Sequence, residues 1–501
     1  MEFLKSFVPK ILSNRARKKI AFWSNHPIET QQKVLQNLIK NAQHTAFGKE
    51  HHFGEIVSYE LFKKNVPIRS YEDLKPYIER IKQGESNVLW KGKPLYFAKT
   101  SGTTSGTKYI PISKESMPTH IESAKNALLC YLYQSKNASF VNGKMIFLQG
   151  SPTLQEKNGI KIGRLSGIVA HFVPSYLQKN RMPSWETNCI EDWEKKVETI
   201  VQETQNQNMT LISGIPPWLQ MYFEKLIAQN NKPVGELFKN LQLIVTGGVN
   251  YEPYREKMNQ LLGREIQIIQ TYPASEGFIA FQDELNNEAL LLLLDNGIFY
   301  EFIPVEEVFN ENPTRFSIGE IELEKEYAII LNTNAGLWGY SIGDTVRFVS
   351  KNPYRILVTG RTKHFTSAFG EHVIAIEVEK ALKNTIENHF CIVSEFSVAP
   401  QVNPSEGLPH HEWFIEFESL PKNLSEFSSE LDHQLRKLNS YYNDLIAGNI
   451  LRPLVISTIK KAGFQQYMKS QGKLGGQNKL PRLSNDRNIA EKLSELDLIE
   501  N

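Results

Sequence analysis

Residues 100–108 read TSGTTSGTK, a run of hydroxyl side chains and glycines that ends in a lysine. The segments at 94–98 and 109–112 on either side have the composition of β-strands, and a helical pattern begins only near Lys114. Glycine lets the backbone approach a ligand closely, hydroxyls and free amides donate hydrogen bonds, and the lysine adds positive charge. The run therefore predicts a phosphate-binding loop between two strands, with a merely polar hairpin tip as the alternative.

The spacing of the glycines distinguishes this loop from a Walker loop. A Walker loop has a glycine, four residues, and then Gly-Lys-Ser/Thr leading directly into a helix. Here Gly102 and Gly106 precede Lys108, and a strand follows instead of a helix. The pattern excludes a kinase-type or GTPase-type P-loop and is similar to the loop that adenylate-forming enzymes place over the β- and γ-phosphates of ATP.

Size, charge and cysteine usage exclude several classes of protein. A chain of 501 residues exceeds what one hydrophobic core fills, so we expect two or more domains. Its net charge of +2 argues against nucleic acid or anionic membranes as partners. Cys130, Cys189 and Cys391 lie far apart without metal-ligand spacing, which is typical of reduced thiols.

The hydrophobic segments of the sequence predict a cytoplasmic location. The longest aliphatic run, at 289–294, is far shorter than the ~20 residues that span a bilayer. The start of the chain lacks the apolar core of a signal peptide.

The order of elements along the chain predicts an α/β fold in two domains. Amphipathic helices dominate residues 1–85, and short apolar strands alternate with helices up to about residue 348. Four of these strands are expected at 144–148, 209–212, 241–245 and 266–270. We therefore predict a large layered α/β N-terminal domain at 1–360 and a small, mobile α+β C-terminal domain at 361–501, joined by a hinge at 360–363.

Two segments that follow predicted strands could contact a nucleotide. Gly247 and Gly248 come after the strand at 241–245 and would let a flat ring or a ribose lie against bare backbone, although a tight strand-to-helix turn also needs glycine. After the strand at 266–270, Tyr272 could stack on adenine, Ser275 could donate to a phosphate, and Glu276 could hold Mg²⁺. The alternative for this second segment is a helix N-terminus capped by Ser275.

Two later segments are also candidates. Asp344 follows a glycine turn and could accept both ribose hydroxyls, or the turn could simply link two strands. The C-terminal run at 472–482, GKLGGQNKLPR, carries Lys473 and Lys479, and a lysine in such a loop can approach the charge that develops on an α-phosphate. An exposed basic tail is the alternative.

The order of these segments resembles the Gretchen Hagen three family of acyl acid amido synthetases, and the chain looks closer to the bacterial members. The matches run from NAQHTAFG at 41–48 to QNKLPR at 477–482, so the resemblance covers nearly the whole chain. It implies membership of the adenylate-forming superfamily, with a large N-terminal domain and a small mobile C-terminal domain. Two positions depart from the pattern: Ser341 stands where the plant enzymes usually carry arginine, and Lys473 is a second lysine near Lys479.

The resemblance also implies a role for each candidate residue. Lys479 matches the lysine of the family's Gln-x-Lys-x-Pro-Arg pattern and would promote adenylation, assisted by Thr104 of the loop and by Glu276, which would hold Mg²⁺. The remaining positions would bind ATP; they are Ser101, Gly102, Thr103, Thr104 and Ser105 on the phosphates, Gly247, Gly248 and Tyr272 on the adenosine, Ser275 on a phosphate, Asp344 on the ribose, and Arg361 beside it.

The function that this resemblance implies is an ATP- and Mg²⁺-dependent ligase. It would convert a carboxylic acid to its adenylate and transfer the acyl group to an amino acid, with AMP and pyrophosphate as products. The expected partners are therefore small acids and amino acids, with no nucleic acid or membrane, for a monomer or simple homo-oligomer. The alternatives are an acyl-CoA ligase of the same superfamily and a non-catalytic nucleotide-binding relative.

Overall fold

The structure is a computed structural model that describes residues 2–100, 107–173, 178–249, 251, 254–361, 365–366, 368–371, 373–471 and 480–500. The chain forms a large N-terminal part built on a long β-sheet and a smaller α+β C-terminal part, which confirms the predicted fold class. In the part of the chain that the structure describes, no helix has the length and apolar character needed to cross a membrane.

Helices form the N-terminal section, as the apolar spacing predicts. In the second of them, the apolar residues at helical spacing are all buried: Val34, Leu35, Leu38, Ile39 and Ala42. Pro27 begins this helix, where its missing N–H costs no hydrogen bond. The helices are α1 (Glu2–Asn25), α2 (Pro27–Ala42), α3 (Ala46–Glu50), α4 (Tyr59–Asn65) and α5 (Tyr71–Lys82).

The rest of the large part alternates strands and helices. Its strands are β1 (Tyr96–Thr100), β2 (Lys108–Ile112), β3 (Lys144–Phe147), β4 (Gln155–Lys157), β5 (Ile160–Gly163), β6 (Arg181–Met182), β7 (Met209–Ser213), β8 (Leu243–Gly247), β9 (Gln267–Ala274), β10 (Gly277–Phe281), β11 (Leu290–Leu292), β12 (Ile298–Pro304), β13 (Glu326–Thr333), β14 (Tyr340–Lys351) and β15 (Tyr354–Arg361). Its helices are α6 (Ser116–Ser135), α7 (Leu165–Ala170), α8 (Trp185–Asn188), α9 (Trp193–Thr204), α10 (Pro216–Asn230), α11 (Val234–Leu237) and α12 (Arg255–Leu262).

Among the described residues, the main sheet has the strand order β12-β13-β14-β15-β11-β10-β9-β8-β7-β3-β6. Within the run β9-β8-β7-β3-β6, each strand pairs parallel with the next. All pairs from β9–β10 to β12–β13 are antiparallel. A second sheet has the order β2-β1-β5-β4. Because parallel strands end at one edge of a sheet, the segments after β3, β7, β8 and β9 meet at that edge, where α/β folds bind ligands.

The parallel strands lie in the core because helices cover them. Leu211 of β7 and Leu243 of β8 have no exposed surface, and neither does Leu219 of helix α10. Strands that are covered on both faces need continuous apolar runs, and the segments LISG and LIVT have that composition. The core therefore fixes the positions of the strand ends and of the loops that follow them.

Among the described residues, the small part carries a two-stranded and a three-stranded sheet. The two-stranded sheet pairs β16 (Phe365–Thr366) with β17 (Val373–Ile374). The three-stranded sheet has the order β18-β19-β20 and consists of β18 (Ile392–Gln401), β19 (His410–Ser419) and β20 (Val455–Ile459). The helices of the small part are α13 (Ala375–His389), α14 (Leu424–Leu438), α15 (Ser440–Ala447), α16 (Gly463–Ser470) and α17 (Asn488–Glu495). Phe369 and Trp413 of this part belong to the same buried apolar cluster as Tyr254 of the large part, so the two parts pack directly.

Two boundaries in the second half of the chain depend on local structure. The segment at 424–447 forms two helices instead of one, because Asn439 is extended (φ −126°, ψ 107°) and its side chain accepts a hydrogen bond from the backbone N–H of Tyr442 as a new N-cap. The boundary predicted at residue 360 falls beside Arg361, where β15 ends, and stays a prediction.

Candidate active site

A cavity of about 1050 Å³ lies between the large and small parts. The ends of β1 and β2 reach it through Thr100 and Lys108, which flank the hydroxyl-rich loop. The small part closes it through α15, whose residues Tyr441 and Asp444 also line it. The predicted site residues that line this cavity are Gly248, Tyr272, Ser275, Glu276 and Asp344.

The loop itself is described only through its flanks. Ser101, Gly102, Thr103, Thr104 and Ser105 lie outside the described residues. The ladder between β1 and β2 ends with the pair Thr100 and Lys108, and both of these residues line the cavity. The two strands predicted around the loop are thus confirmed, and the roles of its hydroxyls stay predictions.

The paired glycines at the end of β8 have different surroundings. Gly247 lies opposite Thr271 of β9, and a Cβ on Gly247 would come within 2.3 Å of the Thr271 carbonyl oxygen. Gly248 has φ +83° and lines the cavity. Gly247 is therefore required by strand packing and is absent from the residues that line the cavity, whereas Gly248 presents bare backbone to it.

Tyr272, Ser275 and Glu276 lie on a β-hairpin, not at a helix N-terminus. β9 continues to Ala274, and the chain turns at Ser275 and Glu276 into the antiparallel strand β10, so the alternative of a helix capped by Ser275 is wrong. The Glu276 side chain is mostly buried, with 9% of its surface exposed, and Oε1 accepts a hydrogen bond from the Tyr340 hydroxyl at 3.4 Å. The hairpin thus directs a buried carboxylate into the cavity.

Asp344 lies inside strand β14, at an irregularity that the sequence did not indicate. Between Ser341 and Thr345, β14 has extra residues relative to β13, and Gly343 there has φ +88°. Such a bulge redirects a side chain that would otherwise follow the regular alternation of a strand. Asp344 lines the cavity with 6% of its surface exposed, and its Oδ2 accepts a hydrogen bond from the Tyr272 hydroxyl.

Arg361 and the two C-terminal lysines complete the predicted set. Arg361 is the last residue of β15, and its backbone lies opposite Asp344 in the ladder, next to the residue beside which it was predicted. The structure describes only the backbone of Arg361, so its role stays a prediction. Lys473 and Lys479 lie outside the described residues. Their described neighbours, Gln471 and Leu480, are absent from the lining of the cavity.

The two parts are joined at the loop side of the cavity. The Tyr441 hydroxyl of α15 donates a hydrogen bond to the Lys99 carbonyl oxygen of β1 at 3.2 Å. Asp444 forms an ion pair with Arg164, whose guanidinium lies 4.9 Å from the centre of the Tyr441 ring. These contacts position α15 over the strand that leads into the hydroxyl-rich loop.

Comparison with family models identifies the protein family. The GH3 family N-terminal domain matches residues 16–189, the GH3 family central domain matches 291–361, and the GH3 family C-terminal domain matches 376–488, together more than half of the chain. The chain belongs to the GH3 family. The predicted resemblance is therefore confirmed at the level of the family.

Individual relatives of this GH3 protein are distant in sequence but similar over most of their length. Jasmonoyl–L-amino acid synthetase JAR6 of Nicotiana attenuata is 22% identical over 510 residues, covering 86% of each chain. Indole-3-acetic acid-amido synthetase GH3.3 of Arabidopsis thaliana is 22% identical over 92% of this chain and 90% of its own. The solved structure of AtGH3.15 acyl acid amido synthetase in complex with 2,4-DB has a TM-score of 0.60 at 17% identity and covers 98% of this chain and 96% of its own.

The fold also extends to a ligase with a different acceptor. A solved structure of 2-hydroxyisobutyryl-CoA ligase with its acyl-AMP and CoA has a TM-score of 0.58 at 13% identity, covering 94% of this chain and 92% of its own. At such identities the solved structures show the fold of this GH3 protein and nothing of its chemistry.

Sequence reasoning missed a cation at the far end of the cavity. Lys196 of α9 lines the cavity, has 1% of its surface exposed, and donates hydrogen bonds from Nζ to the carbonyl oxygens of Gln149 at 3.0 Å and Asn188 at 2.7 Å. Burial lowers the pKa of Lys196 to about 8, with Cys189 opposing the shift. The available signal was a lysine four residues before the buried Ile200 on an amphipathic helix, which places a cation on the apolar face.

The buried position of Lys196 in this GH3 protein predicts a pH-dependent stability. Its pKa falls from 10.5 to about 8 on folding, so the unfolded chain binds more protons between those two pH values. Stability relative to the Lys196→Met variant therefore rises as the pH increases through this window, by up to ~3 kcal/mol. Urea unfolding of both proteins at about pH 7 and about pH 10 measures the change. A difference in unfolding free energy that does not vary with pH would contradict the prediction.

Proposed function

We propose that this protein is an ATP-dependent acyl acid amido synthetase. It activates a carboxylic acid as the acyl-adenylate and transfers the acyl group to an amino acid, releasing AMP and pyrophosphate. The observation that carries the proposal is the single cavity that joins the flanks of the hydroxyl-rich loop with Tyr272, Glu276 and Asp344. The names of the two relatives above, a jasmonoyl–L-amino acid synthetase and an indole-3-acetic acid-amido synthetase, describe the same type of amide formation.

The residues of the cavity fit a nucleotide. Gly248 offers bare backbone beside Tyr272, against which a flat base can lie. A carboxylate has about four acceptor positions, so Asp344 can accept from the Tyr272 hydroxyl and from ribose hydroxyls together. The volume of about 1050 Å³ is just above the ~300–1,000 Å³ range of small-molecule sites, which leaves room for an acid beside the nucleotide.

The residues also fit Mg²⁺ bound together with phosphates. Glu276 is a largely buried carboxylate on the cavity wall, and a Mg²⁺ ion is commonly held by one or two carboxylates plus substrate phosphates. Across the described ranges no group of three or more His, Cys, Asp and Glu side chains could form an all-protein metal site. Bound Mg²⁺ would supply positive charge that offsets the negative charge of the phosphates.

In the first step, an oxygen of the substrate carboxylate attacks the α-phosphorus, the new P–O bond forms, and the bond to pyrophosphate breaks. Two anions must approach each other, so positive and dipolar groups around them lower the barrier. The loop amides between Thr100 and Lys108 and the ammonium group of Lys479 would provide these groups.

In the second step, the unprotonated amino group of an amino acid attacks the acyl carbon, the C–O bond to AMP breaks, and the nitrogen releases one proton to water to give the amide. The acyl-adenylate is a mixed anhydride that water would hydrolyse, so the cavity must limit water access between the two steps. The contacts of Tyr441 and Asp444 with the large part hold α15 over the cavity and are consistent with this requirement. Rotation of the small part about the segment near Lys363 would then remove Lys479 and admit the amine.

Product release with alternative acceptors tests the proposal. The protein is incubated with ATP, Mg²⁺ and a panel of carboxylic acids, and pyrophosphate release identifies an accepted acid. With that acid, we expect AMP release to rise when amino acids are added and the amide to be detected by mass spectrometry. Turnover with CoA alone would instead identify an acyl-CoA ligase, and a protein that binds ATP without releasing pyrophosphate from any acid would be a non-catalytic relative.

A further inference from the structure

The small part contributes a short wall segment to the cavity, Ala368, Phe369 and Gly370, and a buried carboxylate follows it in the chain. The side chain of Glu371 has no exposed surface, and its Oε2 accepts a hydrogen bond from the backbone N–H of Phe369 at 2.9 Å. Its other oxygen, Oε1, lies 2.8 Å from Nε2 of His411, which is also fully buried. Since a carboxylate only accepts hydrogen bonds, Nε2 carries the hydrogen and donates it. Glu371 therefore connects the backbone of the wall segment to strand β19.

His411 is itself held by the core of the small part. Its ring stacks on the ring of Phe369, with centres 5.9 Å apart, and on that of Tyr442 of α15, with centres 5.0 Å apart. The Tyr442 hydroxyl donates a hydrogen bond to Oδ1 of the buried Asp432 at 2.6 Å. A continuous series of contacts thus runs from the core of the small part through His411 and Glu371 to the cavity.

The large part also contacts the wall segment. The Tyr254 hydroxyl donates a hydrogen bond to the Ala368 carbonyl oxygen at 2.6 Å, and Tyr254 has 1% of its surface exposed. A Cβ at Gly370 would lie 3.7 Å from Cδ1 of Ile215, and a Cβ at Gly248 would lie 3.2 Å from Cγ2 of the same side chain. The wall segment therefore faces the cavity close to the Gly248 turn, beside which the proposed function places the nucleotide base.

We propose that Tyr254, Glu371 and His411 are positioning residues for acyl transfer. They fix the wall segment in the place where the amino acid passes it to approach the acyl-adenylate. This inference rests on the proposed function, in which rotation of the small part separates the two half-reactions. The Tyr254 hydrogen bond joins the two parts, so rotation breaks it, and the described neighbours of the run that carries Lys479 are absent from the cavity lining while it is formed. The contacts of the wall segment therefore belong to the half-reaction that does not need Lys479.

Separate measurement of the two half-reactions tests the inference. Adenylation is followed as single-turnover release of pyrophosphate from ATP and the acid that the panel above selects. Acyl transfer is followed as amide formation from the synthetic adenylate of that acid and the selected amino acid. In Glu371→Leu the Phe369 N–H loses its acceptor, and we expect acyl transfer to fall by about 10–10²-fold, since a misplacement of ~1 Å has effects of that size, with adenylation nearly unchanged. His411→Phe, which keeps an aromatic ring but no donor, and Tyr254→Phe, which removes one hydroxyl, should act in the same direction.

Two further variants distinguish positioning from a general effect on folding. Glu371→Gln keeps an acceptor for the Phe369 N–H, and its amide can donate to Nε2 once the His411 hydrogen moves to Nδ1, which has no hydrogen-bond partner among the described residues. This variant should restore most of the rate of acyl transfer. Glu416→Leu is the matched control, because Glu416 of β19 is another buried carboxylate that accepts hydrogen bonds from backbone N–H groups, and it is absent from the residues that line the cavity. It should lower stability without changing the ratio of the two half-reactions.

The outcomes separate this inference from the proposed function. If amide forms and the substitutions lower adenylation as much as acyl transfer, or lower neither, the inference is overturned and the proposed function stands. A change of the ratio in Glu416→Leu equal to that in Glu371→Leu also overturns the inference, because the effect would then be one of stability. If Glu371→Leu and His411→Phe fail to fold, Tyr254→Phe decides, since it removes a single hydroxyl and keeps the ring. If no acyl-adenylate gives an amide, the proposed function and the inference fail together.

Discussion

Replacing Lys479 by alanine is expected to lower the rate of adenylation by about 10²–10³-fold while leaving the second half-reaction nearly intact. The lysine would stabilise charge that develops on the α-phosphate, and the loss of one such donor typically has an effect of that size. Acyl transfer from a pre-made adenylate to an amine needs no such charge at that position. The two half-reactions should therefore respond differently to the same substitution.

The measurement compares pyrophosphate release from acid and ATP with amide formation from chemically synthesised acyl-adenylate. Lys473→Ala is the matched control, because this lysine lies six residues earlier in the same glycine-rich run. If Lys473→Ala shows the larger loss, the assignment moves to that residue. Equal loss of both half-reactions in Lys479→Ala would argue against a lysine that acts in only one of two orientations of the small part.

Glu276→Gln is expected to reduce pyrophosphate release by about 10²-fold or more and to raise the Mg²⁺ concentration needed for half-maximal rate. The substitution keeps the volume of the side chain and removes the charge of a carboxylate that has 9% of its surface exposed in the cavity. Tyr340 can still donate its hydroxyl hydrogen to the amide oxygen, so the hairpin between β9 and β10 should keep its fold. Titrations of Mg²⁺ at fixed ATP, with thermal unfolding as a check on folding, give the measurement.

Glu256→Gln provides the matched control for this prediction. Glu256 is an exposed carboxylate on α12 and is absent from the residues that line the cavity. The Glu256→Gln substitution should leave both the rate of pyrophosphate release and the Mg²⁺ requirement unchanged. An unaltered Mg²⁺ requirement in Glu276→Gln would show that Glu276 does not bind Mg²⁺ and that the phosphates bind it without this carboxylate.

Local sequence signals were sufficient for the strands around the loop and for the strand ends. β1 and β2 form where the apolar residues on either side of the loop predicted them, and β7 and β9 begin at or within one residue of their expected positions. The family resemblance then selected Tyr272, Glu276 and Asp344, and the structure places all three on one cavity. Their chemical roles stay predictions, as do those of Thr104 and Lys479.

Features that depend on pairing between distant segments could not be predicted. The turn at Ser275 is a hairpin because β9 continues and pairs with β10, a choice that the local sequence shares with a capped helix. Asp344 enters the cavity through a bulge against β13, which no property of residues 338–344 alone specifies. The helical spacing places Lys196 on the apolar face of its helix, but it does not specify that its ammonium group donates to the carbonyl oxygens of Gln149, 47 residues away, and of Asn188, on the preceding helix.

The register of the last hairpin in the main sheet has a mechanical consequence. Arg361 is the final residue of β15 and is paired with Asp344 across the ladder. The proposed boundary between the two parts therefore falls at the same rung that carries the carboxylate proposed to bind the sugar, with no spacer between them. Any effect of sugar occupancy on the orientation of the small part would be matched by an effect of that orientation on sugar binding of equal free energy.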